Sequence, residues 1–212
     1  VFRQEVRAMH AYRVQDAAGF IKLEAMENPF ALSEALQEAL GARLRSLPLH
    51  RYPGPRINDL QAALRAHAGI PADSGLVLGN GSDELISLLC TACAQPGATV
   101  LAPVPGFVMY AVSAQIAGMQ FVGVPLTTDF QLDADAMVEA VRQHHPALTF
   151  IAYPNNPTAN LWDDEAIERV VQAVADNIKQ GHPGLVILDE AYQPFASNSY
   201  LERLASRPHV LL

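Results

Sequence analysis

Short continuous apolar runs alternate along the chain with longer segments in which apolar residues recur every three or four positions. The continuous runs predict buried strands, and the periodic segments predict helices that cover a sheet. Strands are expected near residues 76–78, 99–102, 121–124, 148–153, 185–188 and 210–212, and helices near 33–46, 57–68, 83–94, 107–117, 134–144 and 163–179. This alternation is typical of an α/β fold with a mostly parallel, doubly wound sheet.

Length and composition narrow the class of protein. The 212 residues are half apolar, which is enough to bury one sizeable core. Since we see neither an internal repeat nor a linker, we predict an N-terminal arm, residues 1–30, and a single domain, residues 31–212. A net charge of −8 argues against nucleic acid or an anionic membrane as a partner. No apolar run approaches the roughly 20 residues that span a bilayer, and no signal peptide is evident, so we expect a cytoplasmic protein.

Cys90 and Cys93 form a C-x-x-C pair, a spacing that occurs in redox and zinc sites. Both fall inside the apolar helix pattern of residues 85–94, and the chain has no second cysteine pair. We therefore favour two structural cysteines over a redox centre, and we expect no metal site.

Polar residues follow two of the predicted strands. The apolar run Leu185-Val186-Ile187-Leu188 ends in Asp189, and the earlier run from Leu148 to Tyr153 opens into Pro154-Asn155-Asn156-Pro157-Thr158. Functional groups in open α/β sheets lie just beyond the carboxyl ends of the strands. An unpaired carboxylate at such a position is costly, so we expect Asp189 to meet a cationic partner.

A glycine-containing loop, Gly79-Asn80-Gly81-Ser82-Asp83-Glu84, joins the predicted strand at residues 76–78 to a helix. Ser82 can cap this helix, and the free N–H groups of a first helical turn can bind an anion such as phosphate. For the loop alone, a helix cap with acidic residues in the first turn is the simpler interpretation. Near the next strand end, Phe107 could stack on a flat heteroaromatic ring or pack in the core.

Two motifs at this spacing resemble those of the class I/II aminotransferases, which use pyridoxal phosphate on the fold type I scaffold. They are Asn155-Asn156-Pro157-Thr158 and Asp189-Glu190-Ala191-Tyr192. The resemblance implies that Asp189 keeps the ring nitrogen of the cofactor protonated, and that Asn156 and Tyr192 donate to its phenolic oxygen. These three are the expected catalytic residues.

The same resemblance assigns the remaining cofactor contacts. It places the cofactor phosphate on Ser82 and on the backbone at Gly81 and Asp83, and it places Phe107 on the face of the pyridine ring. One departure is Ala159, which stands where the family usually has glycine. The local turn must therefore tolerate a Cβ atom or change its shape.

The N-terminal third resembles histidinol-phosphate aminotransferases more specifically. Lys22-Leu23-Glu24-Ala25-Met26-Glu27-Asn28-Pro29 and Arg51-Tyr52-Pro53 match two of their signatures. The resemblance implies that Tyr52 reaches the cofactor phosphate of the neighbouring subunit in a homodimer, and that Tyr12 and Asn156 bind the substrate. The implied reaction, in histidine biosynthesis, moves an amino group between glutamate and 2-oxoglutarate on one side and histidinol phosphate and imidazole-acetol phosphate on the other.

The amine that such chemistry requires has no match in this chain. The two lysines are Lys22 and Lys179, and neither follows the S-x-S-K type of segment that carries the Schiff-base lysine of the family. We therefore expect the chain to be the N-terminal part of a longer enzyme, with the small domain and its substrate-binding arginine still to follow. Two alternatives stay open. One is another fold type I enzyme, such as an aromatic aminotransferase or a threonine-phosphate decarboxylase, and the other is a non-catalytic cofactor-binding remnant.

Overall fold

The structure, a computed structural model, describes residues 1–9, 18–21, 28 and 30–212. The α-helices of this part of the chain are α1 Gln4–Arg7, α2 Glu34–Arg45, α3 Arg56–Ala68, α4 Ser82–Cys93, α5 Val108–Ala117, α6 Ala134–His144, α7 Asp164–Lys179 and α8 Leu201–Leu204. The strands are β1 Thr99–Val104, β2 Gln120–Pro125, β3 Leu148–Ala152, β4 Leu185–Asp189 and β5 Val210–Leu211. A short 3-10 helix spans Gln193–Phe195. Tyr12 and Lys22 lie outside the described residues.

The five strands form one parallel sheet in the order β2-β1-β3-β4-β5, which confirms the predicted fold class. The central strand β3 is buried along its whole length, as its unbroken apolar sequence indicates. Alternate residues of each strand face opposite layers of helices. Val100, Phe150 and Ile187 pack in one core with residues of α4 and α5, whereas Leu101, Ile151 and Leu188 pack in the other with residues of α6 and α7.

The strand expected at residues 76–78 is not formed, so that prediction is wrong. The segment has no regular secondary structure, and no described strand pairs with it. The side chain of Val77 is 73% exposed. Three apolar residues give too short a pattern to distinguish a strand from an irregular segment.

The contacts divide the chain into two compact units. One contains Val1–Ala8 and Asp73–Leu212, and the other contains Met9–Ala72. The second unit carries α2 and α3, which confirm the two helices predicted for this region. Helix α3 is followed by Gly69 in the left-handed conformation, with a φ of 68°, a common helix end. The predicted boundary between an arm and a domain near residue 30 stays a prediction.

The cysteine pair lies in α4, as expected, and both thiols are free. Cys90 is fully buried, and this burial, together with the neighbouring Cys93 thiol, raises the pKa of Cys90 to about 11. Burial also raises the pKa of Cys93. Since the thiolate is the reactive form, the raised pKa values lower the reactivity of both cysteines at neutral pH. None of the described residues form a cluster of three or more side chains suited to a metal ion, and no described helix is long and apolar enough to cross a membrane.

Candidate active site

The sheet brings the two polar strand ends together. Ala152, the last residue of β3, is paired in register with Asp189, the last residue of β4. One residue further on, the backbone N–H of Tyr153 donates to the carbonyl oxygen of Asp189 at 2.9 Å. The loop that carries Asn155 and Asn156 therefore begins beside Asp189, as parallel strands require.

The Asp189 carboxylate is half-buried and is held by two neutral donors. Its Oδ1 accepts the backbone N–H of Ala191 at 3.1 Å, and its Oδ2 accepts the hydroxyl of Tyr110 at 2.8 Å. Among the described residues, no lysine, arginine or histidine forms an ion pair with Asp189. The cationic partner expected for Asp189 is therefore not a side chain in the part of the protein that the structure describes. The two hydrogen bonds offset part of the cost of burying the charge.

Tyr110 is a site residue that the sequence reasoning missed. It is 2% exposed and lies in α5, with its ring stacked on Phe150 of β3 at a centroid distance of 4.5 Å. Its ring also meets the edge of Phe107 at 5.6 Å and 85°. Burial, followed by the charge and the hydrogen bond of Asp189, raises the pKa of Tyr110 well above its ordinary value of 10.0, so the hydroxyl stays a neutral donor. The available signal was its closeness in sequence to Phe107, the residue that precedes α5, three positions earlier.

Asn156 and Tyr192 also come together, with Asn156 Nδ2 and Tyr192 Oη 3.4 Å apart. Both side chains are half-buried. The adjacent Asn155 is 3% exposed and has a different role. Its Nδ2 donates to the carbonyl oxygen of Pro105 at 3.2 Å and to the Thr158 hydroxyl at 2.8 Å, so it ties the loop after β3 to the loop after β1.

Ala159, which stands where the family usually has glycine, has left-handed backbone. Its φ is 60°, in the left-handed region that disfavours a Cβ atom. Its backbone N–H donates to the carbonyl oxygen of Asn155 at 2.9 Å, which closes the turn that follows the two asparagines. The turn therefore holds a residue with a Cβ atom in left-handed backbone.

The glycine loop leads into α4, but Ser82 is not its cap. Gly81 occupies the N-cap position with a φ of 81°, and Ser82 is the first helical residue, so the predicted capping role of Ser82 is wrong by one position. Because the cap is a glycine, no cap side chain covers the first N–H groups of α4. The Glu84 carboxylate turns back to accept the N–H of Asn80 at 2.5 Å. A positive φ explains why the chain uses glycine at residue 81.

Glu190, which follows Asp189, forms hydrogen bonds that hold the loop after β4. Glu190 accepts the N–H of Tyr200 through Oε1 at 2.5 Å and the hydroxyl of Ser199 through Oε2 at 2.8 Å, next to the start of α8. Burial raises the pKa of Glu190. Tyr200 is 2% exposed and donates its hydroxyl to Glu168 of α7 at 2.8 Å. Glu190 thus anchors the end of the loop that follows β4.

A second acid, Asp164 at the start of α7, is also held by a tyrosine. It accepts the hydroxyl of Tyr153 and forms an ion pair with Arg203 of α8. The hydrogen bond from Tyr153 lowers the pKa of Asp164, and Arg203 adds to this effect against the opposing effect of burial. This cluster connects α7 and α8 to the end of β3.

Tyr52 lies in the other compact unit, in the loop between α2 and α3. Its side chain is 97% exposed. Its assignment to a neighbouring subunit stays a prediction, as does that of Tyr12.

Curated proteins similar to this chain are named histidinol-phosphate aminotransferases. The chain is 64% identical over 210 residues to a histidinol-phosphate aminotransferase of Methylibium petroleiphilum, covering 99% of this chain and 55% of the relative. A second such protein, from Acidovorax ebreus, is 62% identical over 214 residues, with 99% and 57% covered. The chain therefore spans little more than half the length of these curated relatives.

Solved structures have the same fold. The histidinol-phosphate aminotransferase from Sinorhizobium meliloti, in complex with pyridoxal-5'-phosphate, aligns with a TM-score of 0.78 at 23% identity over 99% of this chain and 56% of that one. The enzyme from Clostridium acetobutylicum aligns with a TM-score of 0.73 at 22% identity, covering 88% and 53%. The family model described as "Aminotransferase class I and II" matches residues 18–212. The chain belongs to the class I and II aminotransferase family.

Proposed function

We propose that this chain forms the cofactor-binding part of a pyridoxal-phosphate-dependent histidinol-phosphate aminotransferase. The names of its relatives at 64% and 62% identity support this substrate, and the family supports the reaction type. The reaction would transfer the amino group of glutamate to imidazole-acetol phosphate, or the reverse. The single observation that carries the proposal is the Asp189 carboxylate, held by neutral donors at a strand end.

The residues at this site suit pyridoxal phosphate chemically. A half-buried carboxylate that pairs with no described cationic side chain fits a protonated ring nitrogen. A helix start capped by Gly81 offers backbone N–H groups to a phosphate. When bound, the cofactor supplies an electron sink that makes the α-carbon proton of an amino acid removable.

Each residue has a distinct proposed task. Asp189 keeps the proton on the ring nitrogen, and a charge pair about 4 Å apart at an effective dielectric of 20 contributes about 4 kcal/mol. Asn156 and Tyr192 donate to the phenolic oxygen. Phe107 covers one ring face and limits access of water. Ser82 and the N–H groups near it bind the phosphate, and the helix terminus stabilises the negative charge by about 0.3–1 kcal/mol. Asp189 should therefore matter more than Ser82.

Proton transfer at the substrate requires an amine, and neither Lys22 nor Lys179 follows the type of segment that carries the Schiff-base lysine of the family. Lys179 ends α7, is largely exposed, and forms an ion pair with Asp176 at 3.0 Å. We propose that the lysine and the substrate-binding arginine lie in the part of the relatives' length that this chain does not match. We also propose a homodimer in which the exposed Tyr52 contacts the partner's cofactor phosphate, and a substrate-phosphate contact from Tyr12. A cytoplasmic location stays a prediction.

The test uses the complete protein, meaning this chain with any residues that follow it in the native gene product. The measurement is glutamate formation from 2-oxoglutarate with histidinol phosphate, histidinol or phenylalanine as amino donor. We expect histidinol phosphate to give a kcat/KM at least about tenfold above both others, since charge-assisted hydrogen bonds to a phosphate contribute more than about 1.4 kcal/mol. Preference for phenylalanine, or carbon dioxide release from threonine phosphate, would instead identify one of the two related enzymes. Cofactor binding without turnover of any substrate would identify a non-catalytic protein.

A further inference from the structure

One buried residue, Tyr110, contacts both groups that are proposed to meet the cofactor ring. Its hydroxyl touches the Asp189 carboxylate and its ring touches Phe107. We propose that Tyr110 is a positioning residue that orients Asp189 toward the ring nitrogen of the cofactor. The inference rests on the proposed function, since it specifies how the same site is organised.

The hydroxyl fixes the plane of the carboxylate. Tyr110 Oη binds Oδ2 at 2.8 Å from α5, and the N–H of Ala191 binds Oδ1 at 3.1 Å from the loop after β4. Two donors from different elements, one on each oxygen, prevent the carboxylate from rotating freely. The pair is 79 residues apart in sequence, so only the packing of α5 against the sheet brings the two groups together.

Tyr110 is itself held firmly. It is 2% exposed, and its ring lies nearly parallel to that of Phe150, at an interplanar angle of 10°. Phe150 belongs to the central strand β3 and is fully buried. A side chain fixed in this way presents its hydroxyl at one place, which is what a positioning residue requires.

The structure offers a matched pair of variants. Tyr110→Phe keeps the ring contacts with Phe107 and Phe150 and removes only the hydroxyl. Tyr200→Phe is the control, because Tyr200 is also 2% exposed and also donates to a carboxylate at 2.8 Å, that of Glu168. Both variants lose one buried hydrogen bond to an acid, but only Tyr110→Phe loses it at Asp189.

The experiment measures the Kd of the complete protein for pyridoxal phosphate and for its 1-deaza analogue, in which a carbon replaces the ring nitrogen. We expect Tyr110→Phe to weaken pyridoxal phosphate binding about tenfold, within the range of coupling between contacting residues. The deaza analogue should bind Tyr110→Phe as well as it binds wild type. The absorption band of bound pyridoxal phosphate should shift in Tyr110→Phe and stay unchanged in Tyr200→Phe.

Two results would overturn the inference while leaving the proposed function intact. They are wild-type affinity and absorption in Tyr110→Phe, or an equal loss of affinity for both compounds. A wild-type protein that binds no pyridoxal phosphate would remove the proposed function and the inference with it. If Tyr110→Phe does not fold, 3-fluorotyrosine at position 110 keeps the ring and makes the hydroxyl a stronger donor. The absorption of the bound cofactor must then shift, and an unchanged band would overturn the inference.

Discussion

Replacing Ala159 by glycine should stabilise the chain. Ala159 sits at a φ of 60°, where a residue with a Cβ atom loses about 1–2 kcal/mol relative to right-handed backbone. Glycine removes that strain but costs about 0.5–1 kcal/mol in backbone entropy. Since Ala159 is exposed, its methyl group contributes little packing, and the hydrogen bond from its N–H to Asn155 survives. The net gain should be about 0.5–1 kcal/mol, or a Tm increase of about 1–4 °C for a chain of this size.

Guanidinium unfolding of the 212-residue chain, followed by circular dichroism, measures this difference. Ala92→Gly is the matched control, because Ala92 is an exposed alanine in the ordinary backbone of helix α4. That substitution should destabilise the chain by up to about 1 kcal/mol. A loss of stability in Ala159→Gly similar to that of the control would show that residue 159 carries no strain in solution.

Three further outcomes are expected. Asp164→Asn should destabilise the chain at neutral pH, and its stability should converge with that of wild type below about pH 4. The reason is that a carboxyl whose folded pKa is lowered stabilises the fold above its unfolded pKa. This contribution is lost as the pH falls through the folded pKa. Urea midpoints from pH 3 to 7 would reveal a pH-independent gap if this reasoning were wrong. Alkylation of Cys90 at pH 8 should be far slower in the folded chain than in urea, since burial raises its pKa to about 11, and rapid labelling of the folded chain would count against a structural cysteine. Mixing inactive Tyr52→Ala and Asp189→Ala variants of the complete protein should restore up to about a quarter of wild-type activity, because half of the random dimers have one intact site out of two. Background activity after demonstrated subunit exchange would remove Tyr52 from the partner's site.

The order of helices and strands was predictable from sequence because most elements carry a strong period. Helix α7 and strands β3 and β4 lie within one or two residues of their predicted bounds. The predictions were wrong where only a few residues carried the pattern from which an element or its boundary was predicted. The apolar segment 76–78 forms no strand, and the N-cap of α4 is Gly81 instead of Ser82, a difference of one residue.

The site was predictable only where its residues are local in sequence. Asp189 and Asn156 follow neighbouring parallel strands, so the sequence predicts that they lie at the same edge of the sheet. The contact between Tyr110 and Asp189 depends on how α5 packs against the sheet, and no periodicity encodes that partner. The same holds for Asn155, whose side-chain amide donates to the loop after β1. Contacts that span separate elements are fixed by packing, which sequence patterns describe only in outline.

The most direct test of the account compares the Kd of pyridoxal phosphate for the complete protein, for Asp189→Ala and for Ser82→Ala. Asp189 is proposed to hold the charge on the ring nitrogen, whereas Ser82 adds one hydroxyl to a phosphate site made mostly of backbone N–H groups. We expect a loss of about a hundredfold or more in Asp189→Ala, since about 4 kcal/mol of charge pairing is reduced by partial solvent exposure. In Ser82→Ala the loss should be less than about tenfold. Equal losses in the two variants, or no loss in Asp189→Ala, would contradict the assignment of this strand end as the cofactor site.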